Sequence, residues 1–277
     1  MLGGIGAPAK KASSMHVLTI ANQKGGVGKS TLTSLMAFYL SEKCNGRVLA
    51  VDLDSNRNLS HTLRQFRLDI PTSSLFTDKP IQLPAVRKSI GLLHGTPQLA
   101  NMDVASAAQA TTRVRTFAAQ IEALNDQCDY CLIDPPANLS LRTVAALASA
   151  HFAIAPIELE EYSTMSVQDT LQSILGIRAE WNPRLKFLGI LANRFTHNSV
   201  RQKAALIDLM QNYKQYMLPG RISTRAAIPR ALEEGTGVWN LNTTAANEAS
   251  KEVLFVFDSI MERINAPNAP AGADVHG

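Results

Sequence analysis

The sequence predicts an α/β fold: a doubly wound, mostly parallel sheet with helices on both faces. Three observations carry that expectation. Short apolar, β-branched runs alternate with helix-length segments along most of the chain, the pattern of parallel strands joined by helical crossovers. Two of the runs end in acids, at Asp52-Leu53-Asp54 and at Asp134, as buried strands do where they reach a ligand face. Between the first run and the first helix lies a glycine-rich stretch, Ala21-Asn22-Gln23-Lys24-Gly25-Gly26-Val27-Gly28-Lys29-Ser30-Thr31.

Taken in order, His16 to Ile20 reads as the first strand and Leu32 to Leu40 as the first helix. The apolar run from Arg47 to Asp54 supplies the second strand. Residues 57 to 88 read as irregular, because Pro71, Pro80 and Pro84 interrupt any long helix. Ile90 to His94 is a further strand, and the Ala-rich segment Val104 to Asn125 is helical. Tyr130 to Ile133 forms a strand closed by Asp134-Pro135-Pro136, followed by a helix over Ser140 to Ala150 and a strand over Phe152 to Ile157. Glu160 to Glu180 reads as a helix and Lys186 to Ala192 as a strand. Three helices close the chain: Ser199 to Tyr213, Thr224 to Leu232 and Ala245 to Ile264.

No linker-like stretch or internal repeat divides the 277 residues, so one domain is expected over 15–265. The flanking segments, 1–14 and 266–277, read as disordered tails rich in small residues. An apolar fraction of 45% and a charged fraction of 18% are ordinary for a soluble globular chain. The net charge of +4 permits a polyanionic partner without demanding one. Three cysteines do not make a disulfide scaffold, and Cys128-x-x-Cys131 falls in a strand with no second pair, so core packing is expected. The histidines are scattered without ligand spacing. No apolar run approaches the roughly 20 residues of a membrane span, and Met1 to Ser14 lacks the apolar centre of a signal peptide.

The glycine stretch carries the chemistry. Strand, glycine loop and helix together form the context of a phosphate-binding loop. Its backbone N–H groups can converge on an anion, and the following helix adds unpaired N–H groups and the positive end of its dipole. Lys29 is placed to reach the β- and γ-phosphates of a nucleotide, and the Ser30 hydroxyl to ligate Mg²⁺. Asp134 fits the metal-side acid that such a site also needs. The loop departs from the ordinary pattern: Gln23 stands where a glycine is usual, and a second lysine, Lys24, opens it.

This K-G-G-x-G-K-[ST] form resembles the deviant Walker A box of the ParA/MinD ATPase family, with Asn22-Gln23 similar to the ParA branch. Asp52-Leu53-Asp54-Ser55-Asn56-Arg57-Asn58 resembles that family's switch I motif in both acids and the final Asn, but not in its Pro, Gln and Gly. Ala155 to Ser163, and Ala231 to Gly235 with Val238-Trp239, resemble the short partition ATPases of incompatibility-P plasmids. The resemblance implies ATP and Mg²⁺ as cofactors, bound by Lys24, Gly25, Gly26, Val27, Gly28, Lys29, Ser30 and Thr31. It implies that Asn193 contacts the adenine, with Pro219 near its face. It implies that Asp54 orients the attacking water while Asp52 helps hold the metal and the loop. Lys24 would cross a homodimer interface to the partner's phosphates, as a trans-acting finger does. A ParB-like centromere-binding partner would stimulate hydrolysis, at a cytoplasmic, nucleoid-associated location.

The loop begins at Ala21, which leaves no room before it for a helix-turn-helix domain. Non-specific binding of double-stranded DNA through surface cations is therefore expected, with Arg201, Lys203, Arg221, Arg225, Arg230 and Lys251 as candidates. A second reading is a MinD-like positioning ATPase, which needs a basic amphipathic C-terminal helix. Lys251 to Ile264 is amphipathic, with Val253, Leu254, Phe257, Ile260, Met261 and Ile264 on one face, but its polar face is not net basic. A helix packed on the core, and no membrane partner, is the expectation. A nitrogenase-type reductase would need cluster cysteines elsewhere than before Asp134, and Lys24 argues against a metabolic ligase.

Overall fold

The computed structural model describes residues 14–84, 89–159 and 163–266, without the side chains of 163–166. Of the expected tails, 1–14 and 266–277, residues 1–13 and 267–277 lie outside the described residues, as does the expected helix start at Glu160 to Tyr162. The order is β1 (His16–Ile20), α1 (Lys29–Glu42), β2 (Val48–Asp52), α2 (Asn58–Thr62), β3 (Arg67–Pro71), β4 (Ile90–His94), α3 (Ala107–Ala123) and β5 (Tyr130–Asp134). There follow α4 (Leu141–Ser149), β6 (Phe152–Glu158), α5 (Ser163–Trp181), β7 (Lys186–Phe195), α6 (Val200–Asn212), β8 (Met217–Ser223), α7 (Ala227–Glu233) and α8 (Thr244–Asn265).

The strands form one eight-stranded sheet in the order β3-β4-β2-β5-β1-β6-β7-β8, and every pairing is parallel. Side chains alternate between two cores, as the pleat requires. Leu18, Ile20 and Leu132 face the core shared with α1, α2, α7 and α8. Val17, Cys131 and Ile133 face the core shared with α3, α4, α5 and α6. Helix α1 is buried along its whole middle, Leu32 to Leu40, which explains why its sequence is apolar all round rather than striped. In α8, Val253, Phe257, Ile260, Met261 and Ile264 are buried; the helix packs on the core, as its polar face implied. Both strand-region cysteines, Cys128 and Cys131, are buried and free, and burial pushes the Cys128 thiol up to about 12.

Four local expectations are corrected. The stretch read as irregular holds α2 and the edge strand β3; β3 escaped because it is polar and ends in Pro71, which an edge strand tolerates. Met217–Ser223 is the other edge strand, hidden by Pro219-Gly220. Helix α3 starts at Ala107 rather than Val104, because Ser106 and Gln109 close a capping box. Helix α7 starts at Ala227 rather than Thr224, whose N–H still bonds the Phe195 carbonyl at 2.9 Å.

Candidate nucleotide-binding site

Strand β1 lies inside the sheet between β5 and β6, and chain order reverses on either side of it. That is where α/β sheets open a crevice beyond the carboxyl ends of their strands. The loop leaving β1 is pinned from below. Buried Asn22 donates from Nδ2 to the Pro156 carbonyl at 2.7 Å and accepts the Lys24 N–H at Oδ1 at 2.8 Å. Gln23 Nε2 bonds Ser173 Oγ on α5. Gly26 and Gly28 have φ of 81° and 90°, conformations that side-chain-bearing residues rarely adopt. Gly28 precedes α1 without any side-chain cap on the helix, so the first-turn N–H groups remain available to an anion.

The two lysines are treated in opposite ways. Lys29 is buried at 7% exposure, and its Nζ donates to the Lys24 carbonyl at 3.3 Å. Burial lowers its pKa, while Asp134 and Asp54 oppose that shift. The Lys24 backbone is held at both its N–H and its carbonyl, yet the residue is exposed. Ser30 and Thr31 are half-buried at the start of α1, and Gly25 is exposed.

Asp52 and Asp134 are direct neighbours across the β2–β5 ladder. Both are fully buried, and burial raises both pKa values; the Asp54 charge adds to both shifts, and Asp52 adds to that of Asp134. Neither Asp134 oxygen has a close hydrogen-bond partner among the described residues, although the nearby Ser30 hydroxyl and Lys29 pull its pKa down. A buried, unpaired carboxylate beside two other acids is costly unless a cation completes it. Among the described residues no set of three His, Cys, Asp or Glu side chains is arranged to hold a metal alone. Mg²⁺ binds through one or two carboxylates with substrate phosphates and waters, and Asp134 beside Ser30 offers the protein's share of such a set.

Asp52 is largely occupied elsewhere. Its Oδ1 accepts the Asp54 N–H at 3.1 Å, and its Oδ2 accepts the Ser60 N–H at 2.8 Å and the Ser60 hydroxyl at 2.5 Å. The Ser60 hydroxyl in turn accepts the Gly95 N–H at 2.9 Å. Of the two roles expected for Asp52, the loop-holding one has visible partners. Asp54, 8% exposed, accepts the Asn56 N–H at 2.9 Å, and its charge acts on Lys29.

Beside the loop opens a cleft of about 960 Å³, bordered by Gly28, Thr31, Asn193, Gln202, Ser223 and Arg225 among others. Asn193, 4% exposed, donates from Nδ2 to the Val27 carbonyl at 2.8 Å, so its amide supports the loop from the cleft floor. The next residue, Arg194, holds a left-handed φ of 54°, the kind of backbone strain that gathers at functional sites. Pro219 is not brought here. It is exposed midway along β8, and only the carboxyl end of that strand, Ile222 and Ser223, borders the cleft.

The six candidate cations do not form one patch. Arg221 stacks 4.6 Å over the Phe195 ring on the α6 side of the sheet, whereas its neighbour Ile222 faces the other core. Arg225 is paired to Glu252 at 2.7 Å on the cleft rim. Arg230 pairs with Glu234 and Lys251 with Glu248 within their own helical segments. Arg201 and Lys203 lie on α6, where Arg201 is exposed. Arg221 on β8, Arg225 in the turn after it and Arg230 on α7 stand on three successive parts of the chain.

Sequence reasoning missed Ser60, Gly95, Gln202 and Arg142, which touch the loops through distant partners. Only Arg142 left a signal, as a lone cation in the otherwise apolar α4.

Residues 15–187 match the model of an AAA domain family. Protein IncC from Escherichia coli is 34% identical over 260 residues, covering 90% of this chain and 70% of that one. The chromosome-partitioning ATPase Soj from Thermus thermophilus is 37% identical over 180 residues, covering 64% of this chain and 69% of Soj. Among solved structures, an ATP complex of McdA from Cyanothece, carrying one Asp-to-Ala substitution, superposes with a TM-score of 0.74, covering 89% of this chain and 96% of McdA. At 21% identity that likeness speaks for the fold.

Proposed function

Because this chain belongs to the ParA/MinD-type family of ATPases, we propose that it is a ParA-like partition ATPase working on ATP with Mg²⁺. The observation that carries the reading is the division of labour in one loop, with Lys29 buried among Asp54 and Asp134 and Lys24 presented to solvent. Ser30 and Asp134 are the residues that would hold Mg²⁺, which offsets negative charge on the phosphates. Lys29 and the N–H groups at the start of α1 bind the phosphates in the ground state. Asp54 orients the attacking water. Lys24 reaches the nucleotide of a second copy, making a homodimer that depends on ATP. Asn193 supports the base side of the cleft.

In this reading the dimer binds double-stranded DNA without sequence preference, and a ParB-like partner stimulates hydrolysis to release it, so that plasmid or chromosomal DNA is segregated. The membrane reading is not favoured, since α8 turns its apolar face to the core. The test pairs titration calorimetry with phosphate release. Lys29→Ala should lose ATP binding, whereas Asp54→Ala should bind ATP and fail to hydrolyse it. Normal turnover in Asp54→Ala removes that residue from the mechanism. Light scattering with a slowly hydrolysed ATP analogue tests the dimer, which Lys24→Ala should fail to form.

A further inference from the structure

The peptide between Asp52 and Asp54 is held from both sides by one segment. The Leu53 N–H donates to the Asp134 carbonyl at 3.0 Å. The Leu53 carbonyl accepts Nη1–H of Arg142 at 2.8 Å. Arg142 lies on α4, the helix that follows Asp134, and only 4% of it is exposed. The rest of its guanidinium is committed to Asp103, with Nη2 at 2.7 Å and Nε at 3.2 Å from Oδ2. Asp103 ends the 3-10 turn Pro97–Asp103 that follows β4. A planar, rigid fork can serve two acceptors in fixed directions, which a lysine cannot. Two loops therefore meet at one side chain, the one carrying Asp54 and the one leaving β4, and that side chain stands on the helix that follows Asp134.

We propose that Arg142 is a positioning residue for hydrolysis, holding the Leu53 peptide so that Asp54 keeps its place relative to Asp134 and Lys29. This rests on the reading of Asp54 given above. The hydrogen bonds of Arg142 go to Leu53 and Asp103, and it does not line the cleft, so ATP binding should change little without it. A displacement of about 1 Å at the reacting centre can cost on the order of a hundredfold in rate, and loss of the Leu53 tether frees that peptide to move.

The experiment uses the full chain carrying Arg142→Lys, and separately Asp103→Asn, which keeps Arg142 but loosens its aim. ATP affinity is read by titration calorimetry, and hydrolysis by single-turnover phosphate release well below each variant's melting temperature. Expected for Arg142→Lys is an affinity within about threefold of the parent and a hydrolysis rate at least about tenfold lower, the signature of a group needed after binding. Asp103→Asn should fall between Arg142→Lys and the parent. A lower melting temperature with an unchanged rate in both variants would overturn the proposal, leaving Arg142 a structural pair. An equal loss of affinity and rate would overturn it too. Asp54→Ala, run alongside, separates the two readings: normal hydrolysis there defeats the role of Asp54 whatever Arg142 does.

Discussion

Single residues at this site hold geometry that others depend on. Gly28 is the sharpest case. A Cβ there would stand 2.5 Å from Asn193 Nδ2, in a backbone with φ of 90°. Gly28→Ala should destabilise the fold by roughly 1–3 kcal/mol and abolish ATP binding, read by urea denaturation and calorimetry. Adding Asn193→Ala should restore part of the stability, since it removes the clash but not the backbone strain. Arg57 is the reverse case. It caps α2 with φ of 60° while exposed, a left-handed conformation costing a bulky residue about 1–2 kcal/mol. Arg57→Gly relieves that cost against a smaller gain in unfolded-state freedom. A rise in urea midpoint worth about 0.5–1 kcal/mol is expected, and a fall would show that Arg57 makes compensating contacts. The chemistry legible in the sequence was of this kind: Lys29 and Asp134 lie in short motifs whose context points to their roles, and the roles expected of Lys24 and Asp54 came from the family resemblance. Arg142 stood out only as a lone cation in α4 and Ser60 not at all, because the folded sheet brings their partners to them.

At the scale of elements, the interior strands could be read because burial on both faces makes them continuous apolar runs. The two edges could not. β3 and β8 carry Pro71, Pro219 and Gly220, which read as turn signals and also guard exposed edges against foreign strands. Gly220 has φ of 80°, and a Cβ on it would meet the Phe255 ring of α8 at 2.8 Å. Gly220→Ala should cost roughly 1–3 kcal/mol, and Phe255→Ala in the same chain should return the steric share, both measured by thermal melting. The cations also belong to elements. Arg225 is tied by Glu252 to α8, so Arg225→Ala should lower stability and leave the salt dependence of DNA binding unchanged. Lys203→Ala, on α6, should flatten the log–log salt slope by about 0.9 per subunit, measured by fluorescence anisotropy on two unrelated duplexes.

For the whole molecule, two of the groups that couple stability to pH are histidines, one opening β1 and one just before β6. His151 accepts the Val17 N–H at Nδ1 at 3.1 Å; partial loss of solvent is the largest cause lowering its pKa, with nearby His16 adding to it. Burial likewise lowers His16. Both bind protons more weakly in the folded chain than in the unfolded one, whose value is 6.5. Their stabilisation is complete above that value and is lost as pH falls from it through the lowered folded-state values. The buried carboxyls of Asp52 and Asp134, whose pKa values are raised, act in the opposite direction, so the histidine share is read by difference: between about pH 7.5 and about pH 5 the urea midpoint of His151→Gln should fall less, or rise more, than that of the parent. An identical pH dependence in the two proteins would contradict the neutral imidazole.

The place of β1 within the sheet has a consequence for exchange with solvent deuterium. The amides of Leu18, Thr19 and Ile20 sit between β5 and β6, where no local opening reaches them, so they should exchange only when the entire domain unfolds. Amides of β3 and β8, each with a neighbour on one side alone, should exchange by fraying and much sooner. The phosphate loop thus springs from the most slowly exchanging segment, while the rim of its cleft formed by Ser223 belongs to a quickly exchanging one. Nucleotide would then be gripped on one side by a fixed floor and on the other by a wall that breathes.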